Sequence, residues 1–292
     1  MKPKKLQYGL LNIVTQPHSP ANYIKLFREA ARKKITVHLG GSDRGLIGEP
    51  FTSKTGEREY LFGYLHRYST LDPNSWINLN TLDELAEDDM NKVAGLQNFG
   101  PNHRRFPFFF FPDVHVMVVV TRYNNKSMSI DAIRKMLEVI FQSSELSDWG
   151  PADVNIFQDS AVLDDIKHLK KIKSIKMKVS LPNSDSAHLA YTSLFHKMTD
   201  AGARQANLEY YAKKNDGLNY TPELERDLED TLSNGGSVVE GVQPDGTQVS
   251  INTLASPRIF YLSSLEEMEI LREEVTSHAI SKNKDIFRPH VE

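Results

Sequence analysis

Hydrophobic and polar residues alternate along this chain with two different periods, and segments with one period are followed by segments with the other. Residues 6–14 (LQYGLLNIV) have the run of a strand, and residues 21–34 repeat Tyr23, Phe27 and Ala30 at helical spacing. Residues 35–39 and 58–71 again have the pattern of strands, separated by a glycine-rich turn region. Because period 2 and period 3.6 both occur repeatedly, the pattern predicts a mixed α and β protein.

The clearest signal lies in the middle of the chain. Residues 106–123 (FPFFFFPDVHVMVVVTRY) are almost continuously apolar, with a Pro-Asp turn between two runs, which predicts a buried hairpin. A helix follows Ser129, then a strand at 153–157, a helix at 161–171 and a strand at 174–181. This order of elements resembles a ferredoxin-like split βαβ arrangement. The expected fold class is therefore α+β, with a ferredoxin-like split βαβ sheet core and a C-terminal part made of helices and a β-hairpin.

Beyond residue 183 the chain changes character. Residues 184–216 predict one long or broken helix, and a second helix runs from the Thr221 cap to the Gly235 stop. Residues 236–242 and 247–253 predict a hairpin around a Pro-Asp-Gly turn, followed by a short strand at 259–262 and an acidic helix. Residues 72–102 are polar, with turn residues, and predict an irregular excursion with one short helix. We therefore expect two domains, residues 1–183 and residues 184–292.

Composition excludes several classes of protein. The 292 residues include no cysteine, which rules out disulfides, thiolate metal sites and a cysteine nucleophile. No apolar run approaches the ~18 residues of a membrane span, and the N-terminus lacks a signal-peptide pattern. With 39% hydrophobic residues, 25% charged residues and a net charge of -3, the chain has the composition of an ordinary globular protein. We expect a cytoplasmic protein without membrane contact.

The near-neutral total hides two oppositely charged parts. Residues 217–292 contain 6 Lys or Arg and 14 Asp or Glu, which leaves 29 and 24 for residues 1–216. This asymmetry suggests a separable acidic module that serves as an interaction or autoinhibitory surface. In the positive part, six lysines fall within twelve residues: Lys167, Lys170, Lys171, Lys173, Lys176 and Lys178.

Clustered lysines neutralise phosphates, so this run predicts contact with nucleic acid. Alternation places Lys176 and Lys178 on one face of their strand, opposite Ile175 and its apolar neighbours. If Asn155 and Phe157 lie on a neighbouring strand, they add a stacking ring and an amide to the cationic face, as in many RNA-binding sheets. The alternative is a solvated helix end and a charged sheet edge that discourages aggregation.

A second basic cluster, His103, Arg104 and Arg105, immediately precedes the apolar hairpin. Guanidinium groups suit phosphates, and His66 and His115 are histidines that the strands could bring to the same region. A histidine acting as general acid or base beside Arg105 would make a nuclease that needs no metal. The alternative is an edge cluster that pairs with the acidic excursion before it.

Other sequence patterns give no cofactor or metal. The glycine-rich LGGSDRGLIG lacks the P-loop and dinucleotide fingerprints and predicts a turn or β-bulge. The spacing of metal ligands is absent throughout. We expect no metal and no cofactor.

Four segments together resemble one family. The sequences YGLLNIVTQPHSP, RRFPFFFFPDVHVM, KMKVSLPNSD and NGGSVVEGVQPDGTQVSINTLASPR look like a bacterial domain-of-unknown-function family, the one numbered 4747. The resemblance covers most of the chain in order. It implies a role in phage-defence and mobile-element neighbourhoods, and it carries no catalytic residue over to this chain.

Three functions remain open at this point. The first is a DNA- or RNA-binding effector or sensor of a bacterial anti-phage defence system, using the six lysines with Arg104 and Arg105. The second is a metal-independent, endoribonuclease-like nuclease of such a system, with His103, Arg105, His66 and His115 as candidate catalytic residues. The third is a non-catalytic, partner-binding subunit of a heteromeric complex, and the chain could also form a homo-oligomer.

Overall fold

A computed structural model describes residues 4–15, 18–70, 87–94, 96, 99–123, 125–182, 193–214, 216–264 and 268–288. The described strands form two antiparallel sheets. In chain order they are β1 (Lys4–Thr15), β2 (Val37–Gly40), β3 (Asp43–Ile47), β4 (Phe51–Thr55), β5 (Arg58–Ser69), β6 (Arg104–Phe111), β7 (Val116–Tyr123), β8 (Lys126–Ser127), β9 (Ala152–Ile156), β10 (Lys171–Ser180), β11 (Gln205–Tyr211), β12 (Gly235–Val242), β13 (Gln248–Asn252) and β14 (Ile259–Ser264). The helices are α1 (Pro20–Arg32), α2 (Glu87–Ala94), α3 (Ile130–Phe141), α4 (Ala161–Lys167), α5 (Ser193–Asp200), α6 (Pro222–Asn234) and α7 (Met268–Lys282).

The first sheet is large, with the strand order β14-β1-β7-β6-β5-β3-β2. β4 pairs with β5 and β8 with β7. The long strand β1 has two partners on one edge: β14 pairs with its first half and β9 with its second half. Its other edge pairs with β7.

At the centre of this sheet both faces are buried, which explains the almost continuous apolar run of the β6–β7 hairpin. Phe106, Phe108 and Phe110 pack on one face with α1 and α3. Phe109 and Phe111 belong to the other face, where α7 covers the sheet with Val275, Ala279 and, just beyond the helix, Phe287.

The second sheet has four strands in the order β11-β10-β12-β13. Its apolar side chains, such as Ile175 and Val239, pack with Leu163 of α4, Phe195 of α5 and Leu228 of α6. Three helices therefore cover one face of this sheet. The residues that alternate with these apolar side chains along each strand point to the other face.

The two sheets meet where β9 approaches α6 and β12. The Gln158 side chain, just after β9, donates from Nε2 to the carbonyl oxygens of Thr231 and Gly235 at 3.0 and 2.8 Å. Asn12 of β1 also donates to Asn234 Oδ1 at 3.0 Å. Buried amide groups thus join the first sheet to the α6–β12 junction.

The structure confirms a mixed α and β protein, but the predicted ferredoxin-like arrangement is not found. In that arrangement β9 and β10 would join the β6–β7 hairpin in one sheet. β9 does lie in the sheet of that hairpin, where it pairs with β1, but β10 lies in the second sheet between β11 and β12. The connections after β9 are long enough to place consecutive strands in different sheets, which local periodicity does not reveal.

Several predicted elements are confirmed, including the β6–β7 and β12–β13 hairpins, α1, α3 and α6. The predicted helix over residues 184–216 is wrong in its second half, because Gln205–Tyr211 is strand β11. Its residues 184–192 lie outside the described residues, as do residues 72–86 of the predicted excursion. Strands β3 and β4 occupy part of a region that the sequence pattern predicts as a turn.

The expected boundary between residues 183 and 184 also lies outside the described residues. β10, before it, pairs with β11 and β12, after it. β14 then returns to pair with β1 in the first sheet. Each sheet therefore takes strands from both sides of that position.

Candidate nucleic-acid interface

The face of the second sheet opposite its helices is called here the open face. In register, Lys176 of β10 lies beside Glu209 of β11, and Lys178 lies beside Asn207. Exposed side chains continue on the outer strands. The exposed residues of the open face are Lys176, Lys178, Asn207, Glu209, Tyr211, Glu240, Gln248, Ser250 and Asn252.

Tyr211 is the aromatic side chain of the open face, and its side chain is 60% exposed. The Lys176 Nζ lies 5.9 Å from the centroid of the Tyr211 ring, within the range of a cation–π contact. The Tyr211 hydroxyl and the carboxylates of Glu209 and Glu240 raise the pKa of Lys176. An exposed ring and a protonated amine therefore lie side by side on the sheet.

The other lysines of the predicted cluster lie between the end of α4 and the first residues of β10. Lys167 at the end of α4 pairs with Glu225 of α6 at 2.5 Å, which neutralises part of its charge. Lys170 and Lys173 are exposed. Lys167, Lys170 and Lys171 line a groove of about 720 Å³, which residues 216–220 also line. Four of the six lysines thus extend the positive charge beyond the open face.

Carboxylates share the open face with the lysines. Glu209 accepts a hydrogen bond from the Tyr211 hydroxyl at 2.5 Å, and Glu240 accepts one from Ser174 at 3.0 Å. The middle of the face is therefore close to neutral, and its positive charge concentrates at Lys178 and at the lysines near the start of β10.

The prediction that Asn155 and Phe157 lie on a strand paired with β10 is wrong. β9 belongs to the first sheet, and Phe157 packs there against the core under α7. Asn155 nevertheless faces the second sheet, because it lines the same cavity as Lys178. Sequence reasoning also missed Tyr211 and Asn207, which fall in a segment predicted as helix. The alternation of Ala206, Leu208 and Tyr210 with polar residues is the signal that could have found them.

His66 and His103 lie together, as the sequence predicted. The Nδ1 of His66 is 2.8 Å from the Nε2 of His103, and the rings stack with centroids 5.1 Å apart. Arg105 is the register partner of His66, and its guanidinium lies 4.8 Å from the centroid of the Tyr64 ring. Burial, followed by the charges of His103 and Arg105, lowers the pKa of His66.

Arg104 belongs to a different network at the same end of the sheet. Its register partner Arg67 donates to Asp43, which also accepts from the Ser69 hydroxyl at 2.9 Å. Hydrogen bonds from Arg67 and Ser69, with weaker attraction from Arg67 and Arg104, lower the pKa of Asp43. Asp43 is the first residue of β3, so this network lies in the first sheet, whereas the lysines lie on α4, on the second sheet and on the segment between them.

His115 does not join the other candidate histidines. It lies in the turn after β6, at the opposite end of that strand from the His66–Arg105 pair. Its side chain is only 2% exposed and packs against the rings of His18 and Tyr23 at 4.2 and 5.2 Å. A substrate phosphate would not reach His115 without a rearrangement of this aromatic cluster.

The described part of the chain lacks two kinds of feature. No group of three or more His, Asp or Glu side chains in the described ranges is arranged to hold a metal ion. Among the helices the structure describes, none combines the length and the apolar character needed to cross a membrane.

Comparison with known proteins identifies a family for this chain. The family model described as a domain of unknown function, DUF4747, matches residues 4–280, which is nearly the whole chain. A search of curated proteins finds no significant match. The chain belongs to the DUF4747 family.

Proposed function

We propose that the protein binds single-stranded nucleic acid on the open face of its second sheet. The observation that carries the proposal is the Tyr211–Lys176 pair beside Lys178, on a sheet whose other face is packed with helices. Sheets that bind single strands use this combination, because an exposed ring stacks on a base and neighbouring amines contact phosphates.

The distribution of charge favours a single strand over a duplex. A duplex needs a broad field of positive charge, and Glu209 and Glu240 interrupt such a field on the open face. A single strand can stack a base on Tyr211 and place its phosphates at Lys178 on one side and at Lys170 and Lys173 on the other. Asn207 and Asn252 supply amide groups that can contact base edges.

The test compares labelled 20-nucleotide single strands of DNA and RNA with a DNA duplex, for Tyr211→Ala and its control Tyr261→Ala. Tyr261 on β14 is 71% exposed, which makes it a matched surface tyrosine in the first sheet. Base stacking is worth ~1–3 kcal/mol, so Tyr211→Ala should weaken single-strand binding by about tenfold. Equal binding by both variants would contradict the proposal.

Charge is tested separately with Lys176→Glu/Lys178→Glu against Lys25→Glu/Lys284→Glu, a pair of exposed lysines elsewhere on the chain. Each lost phosphate contact reduces the salt slope of log K by ~0.7 for a single strand. We expect the first pair to weaken binding and flatten its salt dependence, and the control pair to change neither.

The role as effector or sensor of an anti-phage defence system rests on the family resemblance alone. It is tested by phage challenge of bacteria that express the wild type or the Lys176→Glu/Lys178→Glu variant. Protection by the wild type that is lost in the variant would connect the binding face to defence.

A metal-independent nuclease is the second candidate, and the His66–His103 hydrogen bond beside Arg105 is the observation that favours it. The 2.8 Å between the ring nitrogens leaves no room for a phosphate between the two histidines. His103, the more exposed of the two, would therefore act on the substrate, and His66 would hold its ring in place.

A further inference from the structure

A cavity of about 170 Å³ lies at the end of the open face, between the second sheet and the edge of β9. Lys178 and Gln205 line it from the second sheet, and Asp153 and Asn155 line it from β9. Glu138 of α3 and Leu254 also contribute to its walls. Lys178 belongs both to this cavity and to the open face. A nucleic-acid single strand that lies on the open face therefore reaches the cavity entrance.

Asn155 brings an unused hydrogen-bond donor to the cavity. Its side chain is 9% exposed, and its Nδ2 is buried without a hydrogen-bond partner among the described residues. Buried amide groups in folded proteins are nearly always paired, because an unpaired donor loses its bonds to water. An acceptor atom of a bound group would satisfy this donor.

The edge of β9 adds backbone groups to the same wall. Phe157 N donates to Leu10 O, so the residues of β9 alternate in pointing their backbone groups toward and away from β1. By this alternation the N–H and C=O of Val154 point away from β1, toward the cavity that Val154 lines. Gln158 fits the same alternation, since its N donates away from β1 to Leu232 O at 2.8 Å.

The charges that line the cavity balance, because two carboxylates, Asp153 and Glu138, and two cations, Arg134 and Lys178, contribute to its walls. Asp153 is 2% exposed, and its Oδ1 accepts from Gln205 Nε2 at 2.9 Å and pairs with Arg204 at 3.3 Å. Glu138 is a second carboxylate in the wall, although it pairs with Arg134 at 2.7 Å. Because these charges cancel, the lining has no excess positive charge to hold a phosphate, whereas a neutral group with donors and acceptors would meet partners for both.

We propose that this cavity takes one unstacked base of the single strand on the open face, with the Asn155 amide donating to an acceptor on the base edge. The inference rests on the proposed function. A base is flat and neutral and carries hydrogen-bond donors and acceptors on one edge. The Asn155 amide, the Asp153 carboxylate and the backbone edge of β9 offer donors and acceptors to match them in one wall of the cavity. Lys178 at the entrance would hold the phosphate next to that base.

The proposal predicts that the protein prefers one base over the others. This preference would come from hydrogen bonds in the cavity and not from stacking on Tyr211. Stacking on Tyr211 tolerates every base, whereas hydrogen bonds to a base edge discriminate by about tenfold or more. Affinities are measured for twelve-nucleotide homopolymers of the four DNA bases with the wild type, Asn155→Leu and Tyr211→Ala. Leucine is close to asparagine in size and removes no protein hydrogen bond of Nδ2, and thermal unfolding of each variant checks its fold.

We expect the wild type to prefer one base, Tyr211→Ala to bind all four more weakly but keep that preference, and Asn155→Leu to lose it. Equal affinities for all four homopolymers in the wild type would overturn the cavity proposal and leave the open-face proposal standing. A preference lost in Tyr211→Ala, or kept in a folded Asn155→Leu, would have the same effect. Absence of binding to every homopolymer would overturn both proposals.

Discussion

The Nδ1 of His66 and the Nε2 of His103 share a hydrogen bond of 2.8 Å. One of these nitrogens must donate and the other accept, so at least one of the two rings is neutral while the bond exists. Arg105 is paired in register with His66, and its charge opposes protonation of the pair further. Proton uptake by His66 and His103 is therefore coupled to the structure of the first sheet at the end where these two residues lie.

The first prediction follows from this coupling. His66 has a lowered pKa in the folded protein, so between that pKa and the unfolded value of ~6.5 the unfolded chain binds more protons. The free energy of unfolding should therefore fall as the pH drops from 7.5 through 6.5 and below. His66→Gln should lose less stability over this range, as measured by urea unfolding at pH 7.5 and 5.5. Identical losses in wild type and variant would show that His66 is not coupled to folding.

Cleavage separates the binder from the nuclease. Under the proposed function, we expect single-stranded RNA to remain intact with the wild type and with His103→Ala, with or without a chelator. A general acid or base contributes ~100- to 10,000-fold, so a nuclease using His103 would lose nearly all activity in the variant. Cleavage by the wild type that survives chelation and disappears in a folded His103→Ala would establish the nuclease instead.

Much of the fold could be predicted because local patterns determine it. The β6–β7 hairpin has a Pro-Asp turn between apolar runs, and α6 begins at a Thr221 side chain that accepts from Leu224 N at 3.2 Å. β11 is missed because residues 184–216 are interpreted as one long or broken helix. Its signals are Gly202, which follows α5 with a φ of 62°, and the alternation of Ala206, Leu208 and Tyr210 with polar residues. The distribution of strands between two sheets depends on pairing between distant segments, which periodicity does not encode.

The candidate sites show the same division. The sequence could place His66 and His103 in one region, because His66 lies in a predicted strand and His103 immediately precedes the apolar hairpin. The Tyr211–Lys176 pair could not, because it requires the register of β10 and β11. The Asn155 cavity requires two sheets to meet, and Asp153 and Asn155 look like ordinary alternating residues of a strand.

Truncation tests whether the acidic C-terminal part is separable. β12 pairs with β10, β14 pairs with β1, and Phe287 packs at 5.1 Å on Phe111. A fragment of residues 1–216 would expose the strand edges and the apolar surface that these contacts cover. We expect it to lack a cooperative thermal transition by circular dichroism, while the full chain has one. A cooperative transition near that of the full chain would show that the fragment is an independent domain.

Gly235 allows the close approach of β12 to β10. A Cβ at this position would overlap the carbonyl oxygen of Lys178, which is backbone and cannot move aside as a side chain can. Overpacking of this kind costs ~1–3 kcal/mol, so Gly235→Ala should lower the free energy of unfolding by that amount. Gly217→Ala is the control, because the nearest atom to its Cβ would be in the flexible side chain of Lys171 at 3.0 Å, and the backbone oxygen of Ile172 would lie at an ordinary contact distance of 3.5 Å. Equal stability of the two variants would contradict the close packing at Gly235.

The carboxylates of the open face give the sharpest test of where a strand binds. Glu209 and Glu240 lie on the same face as Lys176, and a phosphate backbone crossing that face would be repelled by both. Glu209→Gln/Glu240→Gln keeps the size and hydrogen-bonding capacity of each side chain and removes two negative charges. Charge interactions at exposed sites are worth ~0.2–1 kcal/mol each, so removing two carboxylate charges should raise affinity for a single strand about two- to thirtyfold at low salt.

The matched control for these two substitutions is Glu59→Gln, which removes an exposed carboxylate of β5 in the first sheet that pairs with Lys54 at 3.0 Å. Its effect on affinity should be small, because any remaining effect acts only through the net charge. The gain from the Glu209 and Glu240 substitutions should also shrink as salt rises, since the Debye length falls from ~30 Å at 0.01 M to ~8 Å at 0.15 M. If both variants raise affinity equally per charge removed, the strand does not cross the open face, and binding reflects only the overall charge of the protein.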